Sequence, residues 1–183
     1  PYAGSNALAS ALSLNKIRAA EVLRHAGIRM PRSFGSSASH EADAGEMARA
    51  VFAQFGPPYI VKPSSEGASH GIVIAAGILD LPQKLADVLE AFGTALVEEF
   101  LVGEDASVGV IEDFRSEDVY ALPPVHIVVP DEFSILHFDH HHHGGHQHIV
   151  PSDFDHAEKE VLETMAKQAH RALGLSDFSR ADF

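Results

Sequence analysis

Cysteine and tryptophan are both absent from the 183 residues, and basic residues are scarce. Without cysteine there is no disulfide, no thiol nucleophile and no Cys-ligated zinc or iron–sulfur centre; the redox compartment stays open, with a lean towards the cytosol. Lys and Arg number 13 against 26 Asp and Glu, a net charge of −13 with His neutral. Such a balance repels nucleic-acid backbones, and no basic patch offsets it. The apolar runs, such as residues 59–61 and 127–129, are strand-sized, far from the roughly 20 residues that cross a bilayer. Neither nucleic acid nor membrane is expected as a partner.

What is present is an ordinary globular composition, 45% hydrophobic and 21% charged, with 14 Gly and 10 Pro as punctuation. The chain opens on Pro1 rather than Met and stops at Phe183 inside an expected strand, so it reads as a piece of a longer protein.

The periodicity predicts a helix over 15–26, with Asn15 as cap, Ile17, Val22 and Leu23 inward and Gly27 as its end. Residues 33–39 read as a Ser-rich connection. Met47, Val51, Phe52 and Phe55 recur at helical spacing until Gly56-Pro57-Pro58. Short β-rich runs at 59–61 and 72–74 flank a loop at 62–71. A helix is predicted over 81–92, closed by Gly93, then a strand at 95–97, another at 106–111 and a third at 124–129. Asp153 or Asp155 caps a long helix carrying Phe154, Ala157, Val161, Met165, Ala169 and Leu173 on one stripe, closed by Gly174. Antiparallel pairs dominate the second half, so the fold class is α+β with two lobes meeting near 97–103.

Three stretches can carry chemistry. The loop Lys62-Pro63-Ser64-Ser65-Glu66-Gly67-Ala68-Ser69-His70-Gly71 is small, Gly-bearing and begins with a lysine. Small residues let backbone N–H groups approach an anion and the lysine adds a point charge, although a solvated hairpin loop has the same composition. Glu98-Glu99-Phe100-Leu101 stands where a strand leaves one lobe, and an exposed backbone there can meet a purine edge, with Asp105 beyond it for a sugar hydroxyl; a plain edge strand is the alternative. Arg180 and Asp182 alternate on the last strand and share one face, either as a surface pair or as a Mg²⁺-binding carboxylate beside a cation. Seven of the 13 His fall within residues 137–148. Imidazoles at that density capture Zn²⁺, Ni²⁺ or Cu²⁺ in solution, but consecutive residues rarely close one coordination sphere, which favours a solvated loop.

Together these motifs resemble the D-alanine:D-alanine ligase family of ATP-grasp enzymes across nearly the whole chain. Residues 1–16 are similar to the segment leading into that family's ATP-grasp domain, 60–71 to its phosphate-covering loop, 95–110 to its adenine-side hinge and following strand, and 173–183 to its first metal-ligand strand. The resemblance implies an ATP-grasp fold, two α+β lobes whose antiparallel sheets sandwich ATP, divided as a lead-in over 1–14, a first lobe over 15–97 and an incomplete second lobe over 98–183. It implies ATP and Mg²⁺ (or Mn²⁺) as cofactors, amino acids as small-molecule substrates, a cytoplasmic role in cell-wall precursor synthesis, and room for a homodimer through regions outside this chain.

Residue by residue, the resemblance implies that Lys16 and Lys62 contact ATP phosphates, and that Glu66, Gly67, Ala68 and Ser69 cover them with backbone donors. It places Glu98, Glu99, Phe100 and Leu101 at adenine and Asp105 at ribose. Ser69 and Arg180 would be catalytic, Arg180 stabilising an oxyanion, and Asp182 would hold the metal. The departures are specific. Ala68 stands where a substrate-orienting Ser is usual, Asp105 where Glu is usual, and residues 140–148 are a His-rich run where the family carries an Ala-Lys-Tyr segment. The downstream Glu and Asn that complete the family's metal site lie outside the chain, so the 183 residues alone are expected not to ligate. The resemblance implies a carboxylate–amine ligase of altered substrate choice; a non-catalytic nucleotide-binding relative and a metal-handling protein using the His run are the alternatives.

Overall fold

The computed structural model describes residues 2–37, 43–67, 69–128 and 147–183. Among them the chain forms two compact units, Leu14–Ile17 with Met30–Val102, and Pro1–Ser13 and Arg18–Arg29 with Gly103–Phe183.

The unit built on Met30–Val102 is a four-stranded antiparallel sheet in the order β1-β4-β2-β3, from β1 (Ser33–Ser37), β2 (Tyr59–Lys62), β3 (Val73–Ala75) and β4 (Thr94–Glu99). Helices α3 (Ala44–Phe52) and α4 (Leu81–Phe92) supply Met47, Val51, Leu81, Leu85 and Val88 to a core completed by Tyr59, Val61, Ala95 and Val97. Asp43 caps α3 by accepting from the Gly45 N–H, and Gly93, at φ 73°, ends α4 in the left-handed conformation that a residue without Cβ adopts freely. The Ser-rich 33–37 stretch is a strand rather than a connection. Its residues pair with β4 from Ser33↔Glu98 to Ser37↔Thr94, and Phe34 packs on the core. Partners across the sheet, not local propensity, decided it.

The other unit centres on the ten-residue strand β5 (Asp105–Phe114). Strands β6 (Glu117–Ala121) and β7 (Val125–Val128) pair along one edge of β5, β9 (Phe178–Asp182) along the other, and β8 (Gln147–Ile149) extends the sheet from β7. The long helix α5 (His156–Ala172) covers Val108, Val110, Val119 and Ala121 with Ala166 and Leu162. Asp155 is its cap, in a reciprocal box with Glu158: each side chain accepts the other residue's backbone N–H. A helix unforeseen in the lead-in, α1 (Ala7–Leu14), starts where the Asn6 side chain accepts from the Ala9 N–H at 3.0 Å; α2 (Lys16–His25) follows it. The Asn before an Ala/Leu run was the available signal. Strand β6 was also unforeseen. The expected His-rich loop lies outside the described residues except at its end, where Gln147 and His148 belong to β8.

Candidate nucleotide and metal site

In the sheet unit of β1–β4, Ile60 and Lys62 of β2 stand opposite Glu98 and Leu96 of β4. Their side chains therefore lie on the face away from the Val61–Val97 core pair. The Lys62 ammonium lies 2.5 Å from a Glu98 oxygen, with about a fifth or less of either side chain exposed. Lys16 joins the same group from the start of α2: its N–H donates to the Ser64 carbonyl at 2.7 Å and its ammonium to the Glu66 carbonyl. Burial lowers the Lys16 pKa and the Lys62 charge lowers it further, while Glu66 and Glu98 act in opposition. Lys16 thus stands near enough to Lys62 to be affected by its charge, in a group that also holds the Glu98 carboxylate.

The loop that follows Lys62 is buried at its base and exposed over residues 65–67. Ser64 is buried and its hydroxyl donates to Thr94 Oγ1 at 2.8 Å, whereas Ser65, Glu66 and Gly67 are exposed. Gly67 accepts from the His70 N–H, and Ser69 sits at φ 58°, a left-handed residue that turns the chain back towards β3. Ala68 lies outside the described residues. Gly71, at φ 77°, is packed so closely that a Cβ there would stand 2.6 Å from the Phe92 ring.

At the end of β4 the two adjacent glutamates do different things. Glu98 faces Lys62, but the Glu99 carboxylate accepts from the Arg32 backbone N–H at 2.8 Å and from its guanidinium Nε at 2.7 Å, and Arg32 also stacks over Phe55. Those hydrogen bonds hold the Glu99 carboxyl below the usual range. Glu99 is thus spent on fixing the strand end and offers a ligand only its backbone. The Glu99 N–H itself donates to the Arg32 carbonyl and the Phe100 N–H to the Pro58 carbonyl. Leu101 and Val102 beyond them are exposed. Arg32 was missed because 67 residues separate it from Glu99.

In the unit built on β5, Asp105, Ser107 and Gly109 alternate along one face. Register places Ser107 opposite Asp182 and Gly109 opposite Arg180. Asp182 Oδ1 accepts from the Ser107 hydroxyl at 2.8 Å, and the Arg180 guanidinium forks onto both carboxylate oxygens at 3.0 Å. Asp105 is close enough to feel them: burial first, then the Asp182 charge, raises its pKa, with His126 opposing. His126 is itself held at 2.6 Å by Asp153, whose carboxyl is kept low by that bond. Ser107, unforeseen as part of the site, shares the strand alternation of Asp105 and was legible from it.

This face offers hard oxygen donors, one carboxylate held by a hydroxyl and a second nearby, a set suited to Mg²⁺ rather than to a soft metal. Among the described residues no three His, Cys, Asp or Glu gather to hold an ion by themselves. Asp182, with Ser107 holding one of its oxygens, is the residue here that would hold such an ion.

Two antiparallel sheets, each backed by helices, make this an α+β protein of ATP-grasp fold. The chain belongs to the D-alanine:D-alanine ligase family: the sequence model described as D-ala D-ala ligase C-terminus matches residues 22–183. It is 32% identical to a D-alanine--D-alanine ligase of Desulforudis audaxviator, covering 100% of this chain and 57% of that protein. It is 35% identical to one of Ruegeria pomeroyi, covering 100% of this chain and 54% of that protein. The chain thus spans about half the length of the curated relatives it matches. The fold superposes on the VanG D-Ala:D-Ser ligase of Enterococcus faecalis with a TM-score of 0.81 at 22% identity, covering 100% of this chain and 51% of that one. It also superposes on the D-alanine-D-alanine ligase of Coxiella burnetii, with a TM-score of 0.80 at 18% identity, covering 100% of this chain and 46% of that one.

Proposed function

We propose that this chain is the nucleotide- and metal-binding part of an ATP-dependent carboxylate–amine ligase of the D-alanine:D-alanine type. The observation that carries the proposal is the convergence of Lys16 and Lys62 beneath the loop of residues 63–71. Two lysines at the root of an exposed, Gly-bearing loop suit a polyphosphate, for which Lys62 would exchange its Glu98 partner. The division proposed for the chain is the lead-in 1–14, the first lobe 15–97 and the second lobe 98–183.

In this reading Lys16 and Lys62 neutralise the ATP phosphates, and the backbone N–H groups of Gly67, Ala68 and Ser69 cover them, with Glu66 shaping the loop. Glu98, Phe100 and Leu101 meet adenine, Glu99 acting through the strand end it fixes, and Asp105 meets the ribose. Asp182 would hold Mg²⁺, which supplies charge neutralisation between the phosphates. A substrate carboxylate oxygen attacks the γ-phosphorus as the bond to ADP breaks, giving an acyl phosphate. A neutral amine then adds to the acyl carbon, forming the C–N bond and an oxyanion beside the Arg180 guanidinium; as the C=O re-forms, the C–O bond to phosphate breaks, phosphate leaves and the nitrogen gives up a proton to solvent. The amino acids are D-alanine or a close relative; Ala68 in place of a hydroxyl-bearing residue removes one orienting hydrogen bond and favours an altered choice. The setting is cytoplasmic cell-wall precursor synthesis, and among the described residues no helix is long and apolar enough to cross a membrane.

The test is ADP release by the protein containing this chain, with ATP, Mg²⁺ and a panel of D- and L-amino acids and hydroxy acids, and Lys62→Ala as control. Amino-acid-dependent release that the control abolishes is expected. ATP binding with no release for any acceptor would replace the ligase with a non-catalytic nucleotide binder.

A further inference from the structure

β9 has two faces. Arg180 and Asp182 look onto the side of Ser107 and Gly109, while Ser179 and Ala181 stand opposite Val110 and Val108 on the side packed under α5. On that packed side lies His170, in the last turn of α5 and only 1% exposed. Its Nδ1 is 2.8 Å from the Ser179 hydroxyl and its Nε2 3.3 Å from Glu112 Oε1. The other oxygen of Glu112 accepts the Asp177 N–H at 2.8 Å, and the Glu112 N–H donates to the Asp177 carbonyl, also at 2.8 Å. Asp177 is left-handed at φ 63°, and its own carboxylate accepts from the Gly4 N–H.

A left-handed non-glycine residue immediately before a strand is a strained turn that persists only where its surroundings over-determine it. Here Glu112 grips both polar groups of the Asp177 backbone, and His170 ties Glu112 to Ser179 across the turn. With its proton on Nε2 the ring donates to the Glu112 carboxylate, and Nδ1 accepts from the Ser179 hydroxyl. The order Glu–His–Ser is that of a hydrolytic triad, but the ring is sealed and Ser179 faces packed side chains, so the relay holds a strand instead of activating a nucleophile. The strand it holds carries Arg180 one residue later and Asp182 three residues later.

We propose that His170 is a positioning residue: through Ser179 on one nitrogen and Glu112–Asp177 on the other, it fixes the start of β9 and so the aim of Arg180 and Asp182. The consequence for metal binding rests on the function proposed above; the consequence for the strand does not. His170 touches Ser179 and Glu112 rather than Asp182 and acts through the strand, so its loss is set against the roughly tenfold that removing a direct partner of a metal ligand costs in affinity.

Two readouts on His170→Leu, in the protein containing this chain, test the inference. The first is amide hydrogen exchange at residues 178–182 relative to 117–121, which needs no ligand. The second is Mn²⁺ affinity, by electron paramagnetic resonance with a non-hydrolysable ATP analogue. The expectation is faster exchange confined to 178–182 and Mn²⁺ binding weakened about tenfold. His170→Gln, which keeps an N–H for Glu112, should recover part of both. Leu162→Ala, in the same helix and against the same core, should lower Tm yet leave Mn²⁺ affinity within about twofold. Unchanged exchange at 178–182, or a Mn²⁺ loss no greater than that of Leu162→Ala, overturns the inference. Wild-type protein that binds no Mn²⁺ with the analogue overturns the ligase reading, and the exchange result still decides the role of His170. Should His170→Leu not fold, Glu112→Gln is the substitute: one amide end cannot serve both the ring N–H and the Asp177 N–H, so the same loosening of 178–182 is expected, and normal exchange overturns the inference.

Discussion

Lys62 and Glu98 face each other across β2 and β4 at 2.5 Å, an ion pair mostly withdrawn from water on the sheet face opposite the core. Partial burial makes the pair asymmetric in its response to mutation, because removing one member strands the other charge.

Lys62→Ala should therefore weaken nucleotide binding by about tenfold or more and also lower stability, since Glu98 loses its partner; Lys62→Met, with Glu98→Gln added, should recover the stability but not the binding. Calorimetric titration with an ATP analogue, beside thermal melts, separates the two effects.

Lys16 titrates below an ordinary lysine because of burial and the Lys62 charge. A polyphosphate between the two lysines favours the charged form, so binding should take up protons in the alkaline range below 10.5, and affinity should fall as pH rises there. Titration in buffers of different ionisation enthalpy measures that uptake, and Lys16→Arg should remove it.

The Glu99–Arg32 clamp should make a contribution that depends on acid. Hydrogen bonds from Arg32 depress the Glu99 carboxyl below its ordinary 4.5, so the clamp's stabilisation is complete above that value and is lost as pH falls through the depressed one. Glu99→Gln should destabilise by about 1 kcal/mol at pH 7 and by much less near pH 2. Urea unfolding at the two pH values checks this.

Asp182→Asn should abolish the Mg²⁺ dependence of nucleotide binding. It should also lower the Asp105 pKa, since the Asp182 charge is the second cause, after burial, of its upward shift. Carboxyl-carbon NMR titration of Asp105 reads the second effect without nucleotide.

Gly71→Ala should destabilise by about 1–3 kcal/mol, because φ 77° and a Phe92 ring 2.6 Å from the new Cβ both oppose it. Loss of nucleotide affinity should accompany it, as the loop closes at Gly71. Chemical denaturation and analogue binding are the measurements.

Much was legible in the residues alone. The α2, α3, α4 and α5 helices followed from apolar spacing, with Gly27, Gly93 and Gly174 marking ends, because a helix forms from contacts within four residues; of the two caps left open for α5, Asp153 and Asp155, the structure uses Asp155. The strands β2, β4, β5, β7 and β9 showed as β-rich runs, and the ordered motifs pointed to the family. The alternation of Arg180 with Asp182 already assigned that pair to one face, and the same rule, unused there, joins Ser107 to Asp105.

Only the tertiary structure decided the rest. That Ser33–Ser37 is a strand depends on β4 lying beside it; that Glu99 is occupied depends on Arg32 folding back across 67 residues; that His170 is sealed depends on Glu112 and Ser179 arriving from two other strands. Periodicity is a property of neighbours in the chain, and so the sequence by itself determined elements, faces and family. Which charge is spent on holding the fold and which is left for a ligand is a property of neighbours in space, settled only when sheet register brings distant residues within hydrogen-bond reach.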